Sequence, residues 1–225
     1  MLKEAARRGR CGVVAVRGRA LLCGMLLCLS MGVWGGPPAA ELAAAAGRGD
    51  VERVRALLSG SAAGVEEAAA ALTAAAANGY EEVVRVLLAA GIPADARSRG
   101  GVTALMQGVR RGHKDVVQEL LAAGADVNAR TDEGLTVLMQ AAQEGQRPIV
   151  QILLGAGADA GARLGNGATA LMLAAQIGHA GTVEALLDGK ADVNARAGNG
   201  ITALMLAERY RHHAVTRLLK DAGAR

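Results

Sequence analysis

Gly101-Val-Thr-Ala-Leu-Met106 recurs as Gly134-Leu-Thr-Val-Leu-Met139, Gly167-Ala-Thr-Ala-Leu-Met172 and Gly200-Ile-Thr-Ala-Leu-Met205, each time 33 residues further on. A second ladder, Gly79, Gly112, Gly145 and Gly178, and a third, Arg97, Arg130, Arg163 and Arg196, keep the same 33-residue period. Three ladders in register mark a tandem array, in which each unit is one supersecondary element stacked on its neighbours. A degenerate earlier unit places Gly49 and Leu57-Leu58 30 residues ahead of Gly79 and Leu87-Leu88, so its link is three residues shorter.

Each unit reads physically. Thr103, Thr136, Thr169 and Thr202 stand where a short helix opens, and a threonine hydroxyl there can accept from an orphan backbone N–H. About eight residues later the ladder glycine offers the left-handed conformation that closes a helix. A second helix follows, with paired apolar positions: Val83, Val84, Leu87 and Leu88; Val116, Val117, Leu120 and Leu121; Ile149, Val150, Leu153 and Leu154. That spacing makes one stripe on one face. Gly124-Ala-Asp-Val-Asn-Ala-Arg130, repeated with changes at 157–163 and 190–196, is a turn-rich link to the next threonine.

Composition agrees. Of 225 residues 52% are hydrophobic, yet the aromatics are Trp34, Tyr80 and Tyr210 alone, with 31 Gly against four Pro. A core of Ala, Leu, Val and Met cut into short segments suits stacked helices better than a sandwich or barrel, whose strands draw on aromatic and β-branched residues. The fold class is therefore all-α.

The formal charge of +4 is concentrated at one end. Lys3, Arg7, Arg8, Arg10, Arg17 and Arg19 against Glu4 give residues 1–35 a charge of +5, leaving 19 Lys+Arg against 20 Asp+Glu beyond, a net −1. Nucleic-acid binding needs a concentrated basic surface, so it is not expected of the array. The same leader holds all three cysteines, Cys11, Cys23 and Cys28. Its basic stretch to Arg19, the apolar run Leu21 to Trp34 and the small residues after it have the order of a secretory signal. About 14 apolar residues fall short of the roughly 20 of a membrane span. The expectation is an exported protein, periplasmic or secreted, with residues 1–35 either cleaved near Gly36 or Glu41 or kept as an N-terminal anchor.

The unit Gly-x-Thr-x-Leu-x-x-Ala-Ala, Gly-His, Val-Val with Leu-Leu, and Gly-Ala-Asp-Val-Asn-Ala resembles the ankyrin repeat across everything after the leader. The family's usual Thr-Pro-Leu-His is here Thr-Ala-Leu-Met, a variant familiar among its bacterial members. The resemblance implies an ankyrin-repeat solenoid of about six stacked helix-turn-helix units with extended connecting loops. Residues 36–67 form a degenerate N-terminal capping repeat, then come repeats at 68–100, 101–133, 134–166 and 167–199, and 200–225 is a C-terminal capping repeat. It also implies a non-enzymatic protein-protein interaction scaffold, expected as a monomer, with no nucleic acid, and with a membrane only through an uncleaved leader. Other roles it leaves open are an accessory or protective factor for a periplasmic redox enzyme such as catalase, and a secreted effector that binds a host protein.

By position in the family, partner contacts fall on the loop tips and the last turn of the inner helix. The loop-tip candidates are Arg99, Gly100, Val102, Asp132, Glu133, Leu135, Gly165, Asn166, Ala168, Gly198, Asn199 and Ile201. The helix-end candidates are Asn78, Arg110, Arg111, Gln143, Glu144, Gln176, Ile177, Arg209 and Tyr210. The arginine ladder has two readings. One is a rim of polar residues partly neutralised by Asp126, Asp159 or Asp192 four positions earlier, and the other is a stripe that receives an acidic partner. Met106, Met139, Met172 and Met205 are expected to fill the seam between inner helices. His113 and His179 are expected as hydrogen-bonded turn residues, and His212 and His213 as an exposed pair. With no Gly-x-Ser-x-Gly elbow, no phosphate-binding loop and no acid or thiol at ligand spacing from the histidines, neither catalysis, metal nor cofactor is expected.

Overall fold

The computed structural model describes residues 38–60, 64–98 and 101–225. The chain divides into two units, Met1–Trp34 and Gly35–Arg225, and the leader with its three cysteines lies outside the described residues. Among the described residues there are twelve helices. They are α1 (Pro38–Arg48), α2 (Val51–Gly60), α3 (Val65–Asn78), α4 (Glu81–Ala89), α5 (Ala104–Arg111), α6 (Lys114–Ala122), α7 (Val137–Gln143), α8 (Arg147–Gly155), α9 (Ala170–Ile177), α10 (Ala180–Asp188), α11 (Ala203–Arg209) and α12 (His213–Asp221). Extended structure among them is limited to isolated bridges, Arg97 with Thr103 and Arg130 with Thr136.

The odd-numbered helices pack on one another in sequence, the even-numbered helices do likewise, and each hairpin closes on itself. Two helical layers result, six hairpins deep, with the core between them.

The threonine ladder caps α5, α7, α9 and α11 as its residue type dictates. Thr103 Oγ1 accepts from Met106 N at 3.3 Å, Thr136 from Met139 at 3.2 Å, Thr169 from Met172 at 3.4 Å and Thr202 from Met205 at 3.3 Å. All four threonines are buried, so each satisfies its own hydroxyl and a backbone donor where water is excluded. In the second hairpin Ala70 occupies the equivalent position, and nothing caps a helix there. Its alanine run, strongly helix-forming, continues back to Val65, giving α3 14 residues where later inner helices have seven or eight. The expected boundary between residues 67 and 68 falls inside its first turn.

The outer stripe is buried as its spacing requires: Val83, Val84 and Leu87, then Val116, Val117 and Leu120, then Ile149, Val150 and Leu153, with the fourth member of each set half-buried at the rim. Met106, Met139 and Met172 fill the seam between inner helices. Met205 does not: among the described residues no further hairpin packs on the far side of α11, and it is 48% exposed.

Candidate inner-helix surface

The inner helices end at a turn whose geometry repeats. Gly49, Gly79, Gly112, Gly145 and Gly178 all take positive φ, between 71° and 95°, and in the last hairpin Arg211 takes the same region at 60°. The residue after Gly112, after Gly178 and after Arg211 is a histidine tied across a repeat boundary. His113 Nε2 lies 3.2 Å from Ala77 O, His179 Nε2 3.1 Å from Gln143 O, and His212 Nε2 3.0 Å from Gln176 O. A carbonyl can only accept, so each Nε2 carries the proton and donates. His212 is thereby half-buried and bonded, which corrects its expected place in an exposed pair; His213 alone is exposed. Gln146 holds the equivalent position in the fourth hairpin, and its Oε1 is buried without a hydrogen-bond partner.

The arginine ladder is also spent inside the array. Arg97 Nη1 donates to Gly101 O at 2.9 Å and to Arg130 O at 3.4 Å; Arg130 Nη1 donates to Arg163 O at 3.3 Å; Arg163 Nη1 donates to Arg196 O at 2.7 Å. Arg97, Arg130 and Arg163 thus stitch their loops to the next, while Arg196 Nη1 donates to Gly200 O of its own loop at 3.3 Å; all four stay exposed at the rim, and the expected neutralisation of the ladder is corrected, since they meet backbone carbonyls. The aspartates meant to neutralise it serve their own turns, Asp126 Oδ1 accepting from Asn128 N, Asp159 from Gly161 N and Asp192 from Asn194 N. A third stitch joins the links, Asp95 Oδ1 accepting from Asp126 N at 2.8 Å, Asn128 from Asp159 N at 2.9 Å and Asn194 from Arg225 N at 2.9 Å. Gly161, at the same position in the series, has no side chain to offer Asp192 N.

Subtracting these stitches leaves the surface. Arg99 and Gly100 lie outside the described residues. Val102, Leu135 and Ile201 are half-buried, Val102 and Leu135 packing on the core, so they present edges only. Asn166 and Asn199 accept from Ala168 N and Ile201 N within their own loop tips. Asn78 Nδ2 donates to Gly47 O of the preceding hairpin at 3.2 Å. Asp132 and Glu133 are exposed at their tip.

The helix ends are freer. Arg110, Arg111, Gln143, Glu144, Gln176, Ile177, Arg209 and Tyr210 are all exposed, one cluster per repeat along the inner layer. Arg110 donates to Gln107 Oε1, and the Arg209 guanidinium sits 5.9 Å from the centre of the Tyr210 ring. The outer layer carries an ion-pair network instead. Arg85 meets Glu81, Glu82 and Glu119, and its guanidinium is held above its ordinary pKa by the hydrogen bond to Glu119. Such exposed pairs contribute little to stability.

Among the described residues no group of three or more His, Cys, Asp or Glu is placed to hold a metal ion, and no helix is long and apolar enough to cross a membrane. A family model described as ankyrin repeats in three copies matches residues 42–131 and 138–225, and a second, described as ankyrin repeats in many copies, matches 109–154. No curated protein matches the chain.

Proposed function

The chain belongs to the ankyrin-repeat family, and from that premise we propose that it is a non-enzymatic scaffold, exported from a bacterial cytoplasm, that holds a protein partner on its inner-helix ends. One observation carries the reading. The residues that recur at fixed repeat positions are consumed inside the array, as caps, stitches and core, while the exposed helix-end positions change from Arg110-Arg111 to Gln143-Glu144, Gln176-Ile177 and Arg209-Tyr210. A stiff frame that varies only at its surface loses little ordering entropy on association.

The order of charge, apolar run and small residues in the leader supports export, and its long basic stretch keeps a second form in play, a scaffold tethered by an uncleaved segment. N-terminal sequencing of the protein from its own cell separates the two, a start near Gly36 or Glu41 indicating cleavage. Recovery of the whole chain from the soluble cytoplasm overturns export. For binding, an envelope extract is passed over the purified chain and over a variant with Arg110→Glu and Arg111→Glu. The expected result is a specific partner whose capture falls with the double charge reversal while the circular dichroism spectrum is unchanged. Equal capture by both moves the site to another face.

A further inference from the structure

Two side chains of each inner helix face outward between its buried ridges, four residues apart and hence on one face. In α5 they are Gln107 and Arg111, and 33 residues on come Gln140 and Glu144, Leu173 and Ile177, Leu206 and Tyr210; before them stand Ala44 and Arg48, and Ala74 and Asn78. Only the fifth and sixth repeats fill both positions with large apolar groups. Because α9 packs beside α11, these four form a block two residues wide and two repeats deep. Leu173 and Leu206 are half-buried at its floor, and Ile177 and Tyr210 are 44% and 47% exposed. Scattered apolar residues on a surface need no explanation, but a contiguous patch rimmed by charge marks a contact.

The rim is cationic. Arg209 lies over the Tyr210 ring, which itself stacks on His212 with centres 6.4 Å apart and planes at 25°. His212 is fixed by its bond to Gln176 O, so the tyrosine rests on an anchored ring. Arg211 holds φ at 60° in the place where five other repeats use glycine. A non-glycine residue in this region stores backbone strain, as Lys190 does at 63°. Neither Arg209 nor Arg211 has an ion-pair partner among the described residues, and the neighbouring acid Glu208 is engaged by Lys220 at 2.9 Å. The exposed row 48, 78, 111, 144, 177, 210 holds one acid, Glu144, one repeat from Ile177 and two from the arginines of the last repeat.

Resting on the scaffold reading above, we propose that the inner face of repeats five and six binds an acidic protein segment bearing aliphatic or aromatic side chains, the apolar groups seating on Leu173, Ile177, Leu206 and Tyr210 and the carboxylates on Arg209 and Arg211. Arginine binds carboxylates through paired N–H donors, and an arginine already stacked on an aromatic ring is oriented for it. A lipid or nucleic-acid surface fits less well, since the array beyond the leader is near neutral, 19 Lys+Arg against 20 Asp+Glu.

The test is a displayed random-peptide library selected on the full chain, with the winning peptides labelled and titrated. Expected is enrichment of Asp and Glu together with Leu, Ile, Val or Phe, and binding that weakens with added salt. Affinity should drop at least about tenfold in Ile177→Glu, in Tyr210→Ser and in the Arg209→Glu, Arg211→Glu pair, and hold in Gln118→Arg on the outer helix. Circular dichroism checks that each variant is folded. Enrichment of basic peptides, or of none, overturns this assignment and leaves the scaffold reading to the envelope capture. Peptides whose affinity ignores all three inner-face variants overturn the site alone. Binding to phosphatidylglycerol vesicles or to an oligo-dT strand in place of peptides overturns both.

Discussion

Substituting Gly145 by alanine should destabilise the array more than the same change at Gly112, and the difference measures the histidine stitch. Both glycines close an inner helix in the left-handed region, at φ 71° and 78°. A residue with a Cβ is disfavoured there by roughly 1–2 kcal/mol. At Gly112 that is the main cost, because a Cβ would meet Gln146 Nε2 at 3.4 Å, ordinary contact. At Gly145 the Cβ would stand 2.7 Å from Nδ1 and 2.8 Å from Cγ of His179, a distance no pair of such atoms tolerates. The ring must move, and its Nε2 donation to Gln143 O at 3.1 Å goes with it. A lost hydrogen bond adds about 0.5–1.5 kcal/mol. The expected costs are about 1–2 kcal/mol for Gly112→Ala and about 1.5–3.5 kcal/mol for Gly145→Ala. Both sites are central, so their neighbour-interface terms are comparable. Urea unfolding followed by circular dichroism gives both values. Repeating Gly145→Ala in a His179→Ala background should return its cost to that of Gly112→Ala. Equal costs at the two glycines, or a Gly145→Ala penalty indifferent to His179, would refute the reasoning.

Gln146→His should stabilise the chain by about 0.5–1.5 kcal/mol in urea unfolding, because it removes a buried unpaired Oε1 and places Nε2–H toward the Arg110 carbonyl, the fourth member of the series Ala77, Gln143 and Gln176. Gly161→Asn should add about 1 kcal/mol, by offering Oδ1 to Asp192 N and by restricting the unfolded chain; a crystal structure of the variant checks the bond. Its turn already accommodates a Cβ, since Asn128 sits in the same Asx turn. Arg211→Gly should raise the thermal midpoint, relieving about 1 kcal/mol of backbone strain, while lowering affinity for acidic peptides in titration. Hydrogen exchange should be fastest in α1 and α2, where the outer helix buries Val54 alone, intermediate in α11 and α12, and slowest from Thr103 to Leu187; uniform protection would contradict the one-dimensional picture.

The repeat, its helical hairpin, the threonine caps and the glycine turns were legible in the residues alone, because each is a local matter. A hydroxyl three residues from the N–H that it accepts from, or a glycine at a helix end, acts within one turn of chain and needs no neighbour to define it. The outer stripe was legible for a similar reason, since periodicity names the buried face whatever covers it. The tertiary structure decided what depended on the adjoining hairpin or on the absence of one. For Arg97, Arg130 and Arg163 the residues alone offered a rim of polar groups or a partner stripe, and only the stacked loops show their donation to carbonyls of the following loop, 33 residues on. His212 looked like the first of an exposed pair, yet it occupies the last stitch. Met205 matches three buried methionines in sequence and differs in its exposure, because among the described residues no further hairpin packs on α11. α3 outran its expected start because, without a capping threonine, helix propensity had no stop signal. The apolar block of Leu173, Ile177, Leu206 and Tyr210 spans two repeats, and packing α9 against α11 is what turns two i, i+4 pairs into one surface.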